Sequence, residues 1–512
     1  MAVPLASTIE PPTSTSSSAP LTAVVKGAGP SGLAAAIALA QTGFNVDVIE
    51  KRPSRPPGDG RKNMTAIRPE GLHQLHKLGA LHYAMYPPTP TSGNVGNLTR
   101  ITEGNTYNEF TEFLFPWPLT RYPPAEPSEY REGKLEEYRS AKITEQVPSS
   151  FINLGDLEDC LAQAAKALGV KITYDATLSL SRQAGIDSYA ATLVSNDGST
   201  TNLGRPDLIV CASGKNDHSL QSELGFTHQK GIILSEGNLP DPKNEANPFC
   251  LRLDDSTEEL ESQRMSVFGV TDPSVQNGIL DHVVRKHPHP KSQSVSSTSS
   301  PPSSNSASSS PPPQPSTPSS EPTQPLIEIQ MTHSQTAHLI LQPPRHLTSP
   351  QSQHDLESYL LSVLNRRISP QNAYTSLSEL QSSGAITWGS PLDLITVETS
   401  TAPRYVFGQN VVLVGDCAVS CSPSSGLGCE IGITVDSQSV RTLGEKIVAA
   451  RDSASNAQAT LQREALIEYN LRKAESAVLW SQASRMFYWT KEEAKAWTNN
   501  GEGEAKLGQV DV

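Results

Sequence analysis

The first regular pattern of apolar and polar positions lies in residues 21–52. Two apolar runs, LTAVVKG and FNVDVIE, have the length and β-branched content of buried strands. Between them the alanine-rich run LAAAIALAQ favours a helix, and Gly43 stands where a left-handed residue would end it. The pattern therefore predicts a strand, a helix and a second strand, with the turn GAGPSG opening the helix.

That turn has the spacing of a dinucleotide-binding loop. Gly27, Gly29 and Gly32 would provide a tight turn, close approach of the backbone to a pyrophosphate, and close helix–strand packing. The free amides of the helix would face the phosphates. Glu50 ends the second strand, near the ~20-residue spacing expected for a carboxylate that binds a ribose hydroxyl pair. A glutamate there favours an unphosphorylated adenosine ribose.

Helices and strands alternate through the middle of the chain. Leu72, Leu75 and Leu78 form a helical stripe, and residues 152–176 predict a helix followed by a strand. YAATLVSNDGSTTNL contains the Asn-Asp-Gly turn of a hairpin, and DLIVC has the character of a buried strand in a parallel sheet. A mainly antiparallel second sheet is predicted from five later runs: GIILSE, FCLRLDD, MSVFGVTD, LIEIQMT and TAHLILQP.

The last third of the chain returns to an alternation of helices and strands. Helices are predicted near 354–366 and 373–383, strands at DLITVET and VVLVG, and a final helix at about 459–489. Asp416 follows VVLVG directly, and a Gly/Ser-rich loop comes next. This order of strand, carboxylate, loop and helix indicates a second nucleotide-binding segment.

The predicted fold class is α/β. It comprises a discontinuous Rossmann-like domain, an inserted domain with a mainly antiparallel β-sheet, and C-terminal helices. Disorder is expected in residues 1–20 and 287–325, because Ser/Pro-rich segments bury too little apolar surface to fold. Residues 86–149 form an irregular excursion, either a substrate lid or an ordinary surface segment. The predicted division is 21–85, 150–215 and 390–450 for the Rossmann-like domain, 216–389 for the sheet domain and 451–512 for the helices.

Charge and cysteine content exclude several classes of protein. The formal net charge of −13 over 512 residues argues against a general binder of nucleic acid or anionic membranes. The six cysteines include no CxxC pair, so we expect reduced thiols and no metal site. The first twenty residues lack the features of a secretory signal, and no window has the ~20 apolar residues of a membrane helix. We expect a cytoplasmic protein without a transmembrane segment.

Two distant stretches together carry a family resemblance. The first is GAGPSG with Glu50. The second contains Gly415, Asp416, Pro423, Gly426, Gly428, Gly432 and Asp436. With both, the sequence resembles the FAD-dependent single-component monooxygenases typified by para-hydroxybenzoate hydroxylase, whose GD motif is followed by a P-x-x-G-x-G loop and a helix. The resemblance covers residues 20–85, 150–215 and 390–450.

This resemblance implies an FAD site. Asp416 would accept hydrogen bonds from the ribityl hydroxyls, and the backbone near Gly428 and Cys429 would donate amides to the isoalloxazine. Arg61 is the counterpart of a family arginine near phosphate, with an ordinary surface arginine as the alternative. NADPH or NADH is the implied electron donor. The full set of implied cofactor-binding residues is Gly27, Gly29, Gly32, Glu50, Arg61, Asp416, Gly426, Gly428 and Cys429.

The chain departs from the family at several positions. Ser213-Gly214 replaces an Asp-Gly pair, Gly155-Asp156 stands where an arginine often opens a helix, and Val419 replaces a histidine. Lys26 replaces an apolar residue before the first glycine, and either it meets phosphate or its amine extends to solvent.

The implied activity is oxygen transfer. NAD(P)H would reduce FAD, and one atom of O₂ would hydroxylate or epoxidise a small organic substrate, such as an aromatic compound or secondary metabolite. No protein nucleophile is needed, so we assign no catalytic residue. Trp117, Arg121 and Tyr122 are candidates for substrate contact. Two alternatives remain open, a flavin oxidoreductase that transfers no oxygen and a non-catalytic binding protein on a flavoprotein scaffold. The sequence does not indicate the oligomeric state.

Overall fold

The structure of the chain is a computed structural model. It describes residues 20–56, 60–61, 63–67, 69–85, 99–100, 106–108, 150–183, 185–253, 258–259, 263–270, 326–331, 337–343, 347, 353–367, 374–421, 427–451, 453 and 455–486. The predicted N-terminal tail, most of the excursion at 86–149 and the Ser/Pro-rich insert lie outside the described residues, as do Trp117, Arg121 and Tyr122.

Strands occur throughout the described ranges. In chain order they are β1 (Thr22–Lys26), β2 (Asn45–Ile49), β3 (Met64–Ile67), β4 (Thr99–Arg100), β5 (Thr106–Asn108), β6 (Ser150–Asn153), β7 (Lys171–Thr173), β8 (Ala176–Arg182), β9 (Tyr189–Ser195), β10 (Thr200–Gly204), β11 (Leu208–Cys211), β12 (Gln229–Lys230), β13 (Ile232–Ile233), β14 (Glu258–Glu259), β15 (Gln263–Val270), β16 (Leu326–Met331), β17 (Ala337–Gln342), β18 (Ile386–Trp388), β19 (Ile395–Val397), β20 (Ser400–Thr401), β21 (Val406–Phe407), β22 (Val411–Leu413) and β23 (Val419–Ser420).

Helices cover the faces of these sheets. In chain order the α-helices are α1 (Pro30–Gln41), α2 (Pro69–Lys77), α3 (Leu81–Met85), α4 (Leu154–Ala167), α5 (His218–Leu224), α6 (Gln353–Arg367), α7 (Leu377–Ser382), α8 (Leu427–Ile431), α9 (Ser437–Arg451) and α10 (Ser455–Met486). A π-helix, Gly432–Asp436, links α8 to α9, and short 3₁₀ turns occupy Glu236–Asn238 and Gly415–Cys417.

A six-stranded sheet in the order β21-β22-β11-β1-β2-β7 forms the centre of the fold. All its pairs are parallel except β21 with β22. Helix α1 packs against β1 and β2 and lies beside α4 and α9. Its stretch from Leu33 to Leu39 is buried throughout, which suits the small side chains of its alanines. The predicted Rossmann-like fold is therefore confirmed.

The predicted antiparallel elements are also present. Strands β8, β9 and β10 form an antiparallel sheet, and the β9–β10 hairpin turns at Asn196-Asp197-Gly198. A second sheet, in the order β18-β15-β17-β16-β5, carries β19 beside β15. Its apolar face packs on α6 and α7 through buried side chains that include Phe268, Leu339, Leu360 and Leu380. The predicted mixed α/β architecture is thus confirmed, whereas the domain boundaries stay a prediction.

One predicted strand is wrong. The described part of the run FCLRLDD, residues 249–253, forms no strand. Leu251 N–H donates to the carbonyl of Pro403, and Arg252 N–H donates to the carbonyl of Asn238. These two bonds go to separate loops rather than to one neighbouring strand, so no ladder forms although the alternation of side chains is strand-like.

No helix in the described ranges is long and apolar enough to cross a membrane. The final helix, α10, extends from Ser455 to Met486, close to the predicted bounds. Its inner face joins the main core through Leu466, Tyr469 and Ala474.

Asn410 connects the hairpin sheet to the parallel sheet. It is 2% exposed and precedes β22 directly. Its side-chain carbonyl accepts the N–H of Tyr189 at 2.9 Å, and its amide donates to the carbonyls of Tyr189 and Pro206 at 2.9 and 3.1 Å. One side chain thus satisfies three buried backbone groups.

Replacing Asn410 by Ala is expected to lower the free energy of unfolding by about 3 kcal/mol, since each lost bond to a buried group costs roughly 1 kcal/mol. Denaturant unfolding of the purified variant measures this. The neighbouring variant Gln409→Ala removes an exposed side chain and should change stability by under about 0.5 kcal/mol. Equal effects of the two substitutions would contradict the role given to Asn410.

Candidate functional site

A cavity of about 780 Å³ lies over the carboxyl ends of the parallel strands. Its volume is within the range of sites for cofactors and small ligands, and such sites occur at this edge of open α/β sheets. Of the nine residues predicted from the sequence, the cavity wall contains seven: Gly27, Gly29, Glu50, Arg61, Asp416, Gly428 and Cys429. Gly32 packs behind the wall, and Gly426 lies outside the described residues.

The turn between β1 and α1 forms one side of this cavity. Gly27 has φ +108°, and a Cβ there would lie 2.7 Å from the carbonyl oxygen of Ala212. A Cβ on Gly32 would lie 2.0 Å from the carbonyl oxygen of Gly27. Helix α1 begins after Gly29, with no side-chain cap and with Pro30 in its first turn. Its first amides are thus available to an anion in the cavity.

Glu50, just after β2, is held firmly by neighbouring donors. One carboxylate oxygen accepts the N–H of Ala28 at 2.7 Å, and the other accepts the backbone N–H and Nε of Arg52, each at 2.9 Å. Burial alone would raise the pKa of Glu50, but the bonds from Arg52 and Ala28 outweigh it and hold that pKa below its usual value. The carboxylate is therefore ionised and fixed at the cavity edge.

Glu158 on α4 gathers three arginines beside Glu50. Its buried carboxylate lies 2.6 Å from Arg61, 3.1 Å from Arg52 and 3.2 Å from Arg55. Arg61 is therefore an ion-paired residue of the cavity wall, and its side chain is 46% exposed. Its predicted phosphate contact and the alternative of an ordinary surface arginine both stay open.

The same region explains why Gly155 stands at the start of α4. A Cβ on Gly155 would lie 2.5 Å from the Cα of Gly60. Gly155 N–H also donates to the carbonyl of Arg61 at 3.0 Å, and Leu154 N–H donates to Asn63 at 2.9 Å. The segment around Arg61 therefore docks directly on the first turn of α4, and a larger residue at position 155 would prevent this contact.

The opposite side of the cavity comes from the segment after β22. Gly415 has φ +57°, and a Cβ there would lie 2.5 Å from Ser31 Oγ. The backbone of Gly428 passes close to Asp416, because a Cβ at Gly428 would lie 3.5 Å from Asp416 Oδ1. Asp416 is exposed to the cavity. The surrounding protein reduces its hydration and raises its pKa, although Lys215, Arg61 and Lys473 oppose the shift.

Cys429 lies in α8 at the cavity wall. Burial raises the pKa of its thiol to about 12, so the thiol is neutral near pH 7. This favours the predicted use of its backbone amide over any chemistry of a thiolate. Within the described ranges no three His, Cys, Asp or Glu side chains are grouped as metal ligands would be.

Lys26 is buried, so the expectation that its amine extends to solvent is wrong. It is 4% exposed, and its ammonium lies 3.1 Å from Asp217 and 3.6 Å from Glu223. Burial would raise the pKa of Asp217, but hydrogen bonds, among them that from the Ser219 hydroxyl at 2.7 Å, together with Lys26, lower it to about 2.

Sequence reasoning did not identify several residues that shape this site. Arg52 could have been found, because it is the first arginine after Glu50 and stands two positions away. Glu158, by contrast, pairs with Arg52 across 106 residues, and no local spacing signals such a pair. Lys26 and Asp217 also lie far apart in the sequence, and no local spacing signals their ion pair.

Comparisons with known proteins agree with this fold. Residues 25–89 match the family model of an NAD(P)-binding Rossmann-like domain. No curated protein sequence matches the chain significantly. The fold is similar to that of p-nitrophenol 4-monooxygenase from Pseudomonas putida DLL-E4, with a TM-score of 0.51 and 13% identity over 95% of this chain and 93% of that one.

Two further solved structures share the fold. Anhydrotetracycline hydroxylase OxyS from Streptomyces rimosus has a TM-score of 0.50 and 13% identity, over 96% of this chain and 76% of that one. The Diels-Alderase PyrE3 of pyrroindomycin biosynthesis has a TM-score of 0.51 and 15% identity, over 96% and 77%. These similarities confirm the predicted α/β fold with its Rossmann-like part and antiparallel sheet.

Asp416 should make the cofactor-free protein less stable at neutral pH. Since its pKa is higher in the folded chain than the usual 3.8, folding is most favoured when Asp416 is protonated, and that advantage is lost as the pH rises through the folded value. Asp416→Asn should therefore raise the thermal midpoint of the cofactor-free protein at pH 7, but only slightly, because Asp416 is exposed to the cavity and water there screens its charge. The difference should diminish as the pH approaches 4, as thermal unfolding between pH 4 and 8 would show.

Asp197 provides a control of opposite sign. Hydrogen bonds from Ser199 lower the pKa of its carboxyl, so its ionised form favours the folded state above pH 3.8. Asp197→Asn should therefore leave stability at pH 7 unchanged or slightly lower. An Asp416→Asn variant that is less stable than the parent at pH 7 would contradict the argument.

Proposed function

We propose that this chain is an FAD-dependent monooxygenase, an oxidoreductase that uses NAD(P)H and O₂ to hydroxylate or epoxidise a small organic substrate. One observation carries the proposal. Residues from opposite ends of the chain, Gly27 and Glu50 from one and Asp416 and Gly428 from the other, line a single cavity. A lone dinucleotide fingerprint would explain only the first pair.

The residues present fit both ends of FAD. At the adenosine end, the ionised Glu50 suits a ribose hydroxyl pair, and the uncapped start of α1 at Gly29 suits the pyrophosphate. At the other end, Asp416 suits the ribityl hydroxyls as an acceptor. Within the part of the chain that the structure describes, a Cβ built at Gly428 would meet only Asp416 Oδ1 beyond its own helix and chain neighbours, which suits approach of a planar ring to the backbone there. Arg61, between the two ends, would neutralise phosphate charge.

These residues bind and orient rather than react. The bound flavin supplies the redox chemistry. Asp416 would hold the ribityl chain, and the amides near Gly428 and Cys429 would favour negative charge on the ring. No acid or base from the chain is assigned to the reaction.

The proposal extends to the electron donor and to the substrate. Glu50 accounts for the adenosine of the bound dinucleotide, so NADPH or NADH would bind without a fingerprint of its own. The sheet of β15 to β19 and the segment 86–149 form the proposed substrate side, in keeping with the proposed boundaries 21–85, 150–215 and 390–450 for the FAD-binding part. An electron-rich aromatic compound or a related secondary metabolite suits electrophilic oxygen transfer.

The first experiment follows the flavin spectrum under anaerobic conditions. Protein loaded with FAD is mixed with NADPH or with NADH in the presence of candidate aromatic substrates, and air is then admitted. Bleaching followed by oxygen consumption and an oxygenated product supports the proposal. Reduction and reoxidation without an oxygenated product would support an oxidoreductase that transfers no oxygen.

The fold is also found in a Diels-Alderase, so flavin binding alone does not settle the reaction. A protein that binds FAD but accepts electrons from neither coenzyme, with or without substrates, would contradict the monooxygenase proposal. A protein that binds no FAD would instead favour the binding-scaffold alternative.

Asp416→Ala should weaken FAD binding by about tenfold to a hundredfold, because hydrogen bonds to a charged acceptor contribute roughly 1.5–3 kcal/mol. Fluorescence titration of the cofactor-free protein with FAD measures the dissociation constant. Asp241→Ala removes a carboxylate whose partner is Arg252, outside the cavity wall, and should leave FAD affinity unchanged. Full FAD affinity in Asp416→Ala would refute the placement of the ribityl chain.

A further inference from the structure

A buried ion pair lies directly behind the segment that carries Asp416. Asp436, the last residue of the π-helix, is 0% exposed, and Lys473, in the middle of α10, is 1% exposed. The Lys473 ammonium contacts Asp436 Oδ1, while Asp436 Oδ2 accepts the N–H of Gly415 at 2.5 Å. The carboxylate thus joins a cation on one side to the backbone next to Asp416 on the other.

Gly415 has little freedom in this position. Its φ of +57° is a left-handed conformation, and its backbone is close to Ser31 on α1. A Cβ at Gly432, in the first turn of the π-helix, would also approach Ser31 Oγ to 1.8 Å. Gly415 is therefore enclosed by α1, the π-helix and the carboxylate of Asp436, and the direction of Asp416 depends on how these three are placed.

Helix α10 reaches the same region at other points. Tyr469 donates its hydroxyl to the carbonyl of Leu413 in β22 at 2.7 Å. Asn470 accepts the N–H of Tyr405 at 3.0 Å. Lys473 differs from both because its contact with Asp436 is between two fully buried charged groups. Such a pair costs desolvation energy, and a methionine of similar length would fill the space without that cost.

We propose that Lys473 is a positioning residue of the flavin site, which acts through Asp436 to hold Gly415 and so to aim Asp416 into the cavity. The flavin part of this statement rests on the proposed function, whereas the link from Lys473 to Gly415 does not. Without Lys473, the buried carboxylate of Asp436 would be unpaired. It would turn toward another donor and lose its hydrogen bond with the N–H of Gly415.

The link is tested by hydrogen exchange in the cofactor-free protein. Lys473→Met should speed amide exchange in the peptide that spans residues 411–421 by about tenfold or more, because the unpaired Asp436 carboxylate turns away from the N–H of Gly415 and no longer holds it. Lys473→Arg keeps a cation and should restore protection. The pair Lys446–Glu468 also joins α9 to α10 but is far more exposed, so Lys446→Met is a matched control and should leave this peptide unchanged.

A double variant separates positioning from general destabilisation. Lys473→Met alone leaves Asp436 unpaired, but Asp436→Asn with Lys473→Met removes both charges, and the asparagine carbonyl can still accept the N–H of Gly415. The double variant should recover the protection of residues 411–421 that the single variant loses. If both variants exchange like the parent in this peptide, or if exchange rises equally in all peptides, the proposal is overturned.

A separate measurement tests whether Lys473 affects flavin binding. FAD affinity should fall about tenfold in Lys473→Met and recover in Lys473→Arg, while Lys446→Met keeps the parent value. A loss of protection at residues 411–421 with unchanged FAD affinity would overturn the positioning role. A parent protein that binds no FAD would refute the proposed function, and the exchange data would still decide the link to Gly415.

Discussion

The site depends on the pairing of carboxylates that the fold removes from water with hydrogen-bond donors and cations. A carboxylate at the buried end of a strand is costly unless donors or a cation surround it. Glu50 has the amide of Ala28 and Arg52, Asp217 has the hydroxyl of Ser219 and Lys26, and Asp436 has Gly415 and Lys473. The partners of each carboxylate come from different elements of the chain. Each set of contacts therefore fixes the position of one part of the site.

Asp416 differs from the other carboxylates at the cavity in the direction of its pKa. Donors lower the pKa of Glu50 and of Asp217, whereas the reduced hydration of Asp416 at the cavity wall raises its pKa despite three cations. The protein thus tolerates an electrostatic cost at one position that faces the cavity. A ligand whose hydroxyl groups donate to Asp416 would relieve this cost, which is the physical reason why the group can serve binding while it opposes stability.

Local sequence patterns predicted much of the fold and part of the site. The spacing of Gly27, Gly29 and Gly32 and the strand before Glu50 gave the central unit, since each depends on near neighbours in the chain. The partners of these residues could not be predicted in the same way. Glu158 reaches Arg52 across 106 residues, and Lys473 reaches Asp436 across 37, so only the folded topology brings them together. The false strand at 249–253 failed for the same reason, because strand-like alternation does not provide a neighbour.

The long helix α10 contacts both the strand and the turn that lead to Asp416. The sequence predicts only a C-terminal helix there, yet the inner face of this helix provides Tyr469 to β22 and Lys473 to the carboxylate behind Gly415. A purely apolar face would pack there at lower desolvation cost. The polar contacts instead specify one register of α10 against the strand and the turn that lead to Asp416. A binding site needs a fixed helix register when its acceptor must point at a ligand rather than into the core. Apolar packing alone defines that register less sharply.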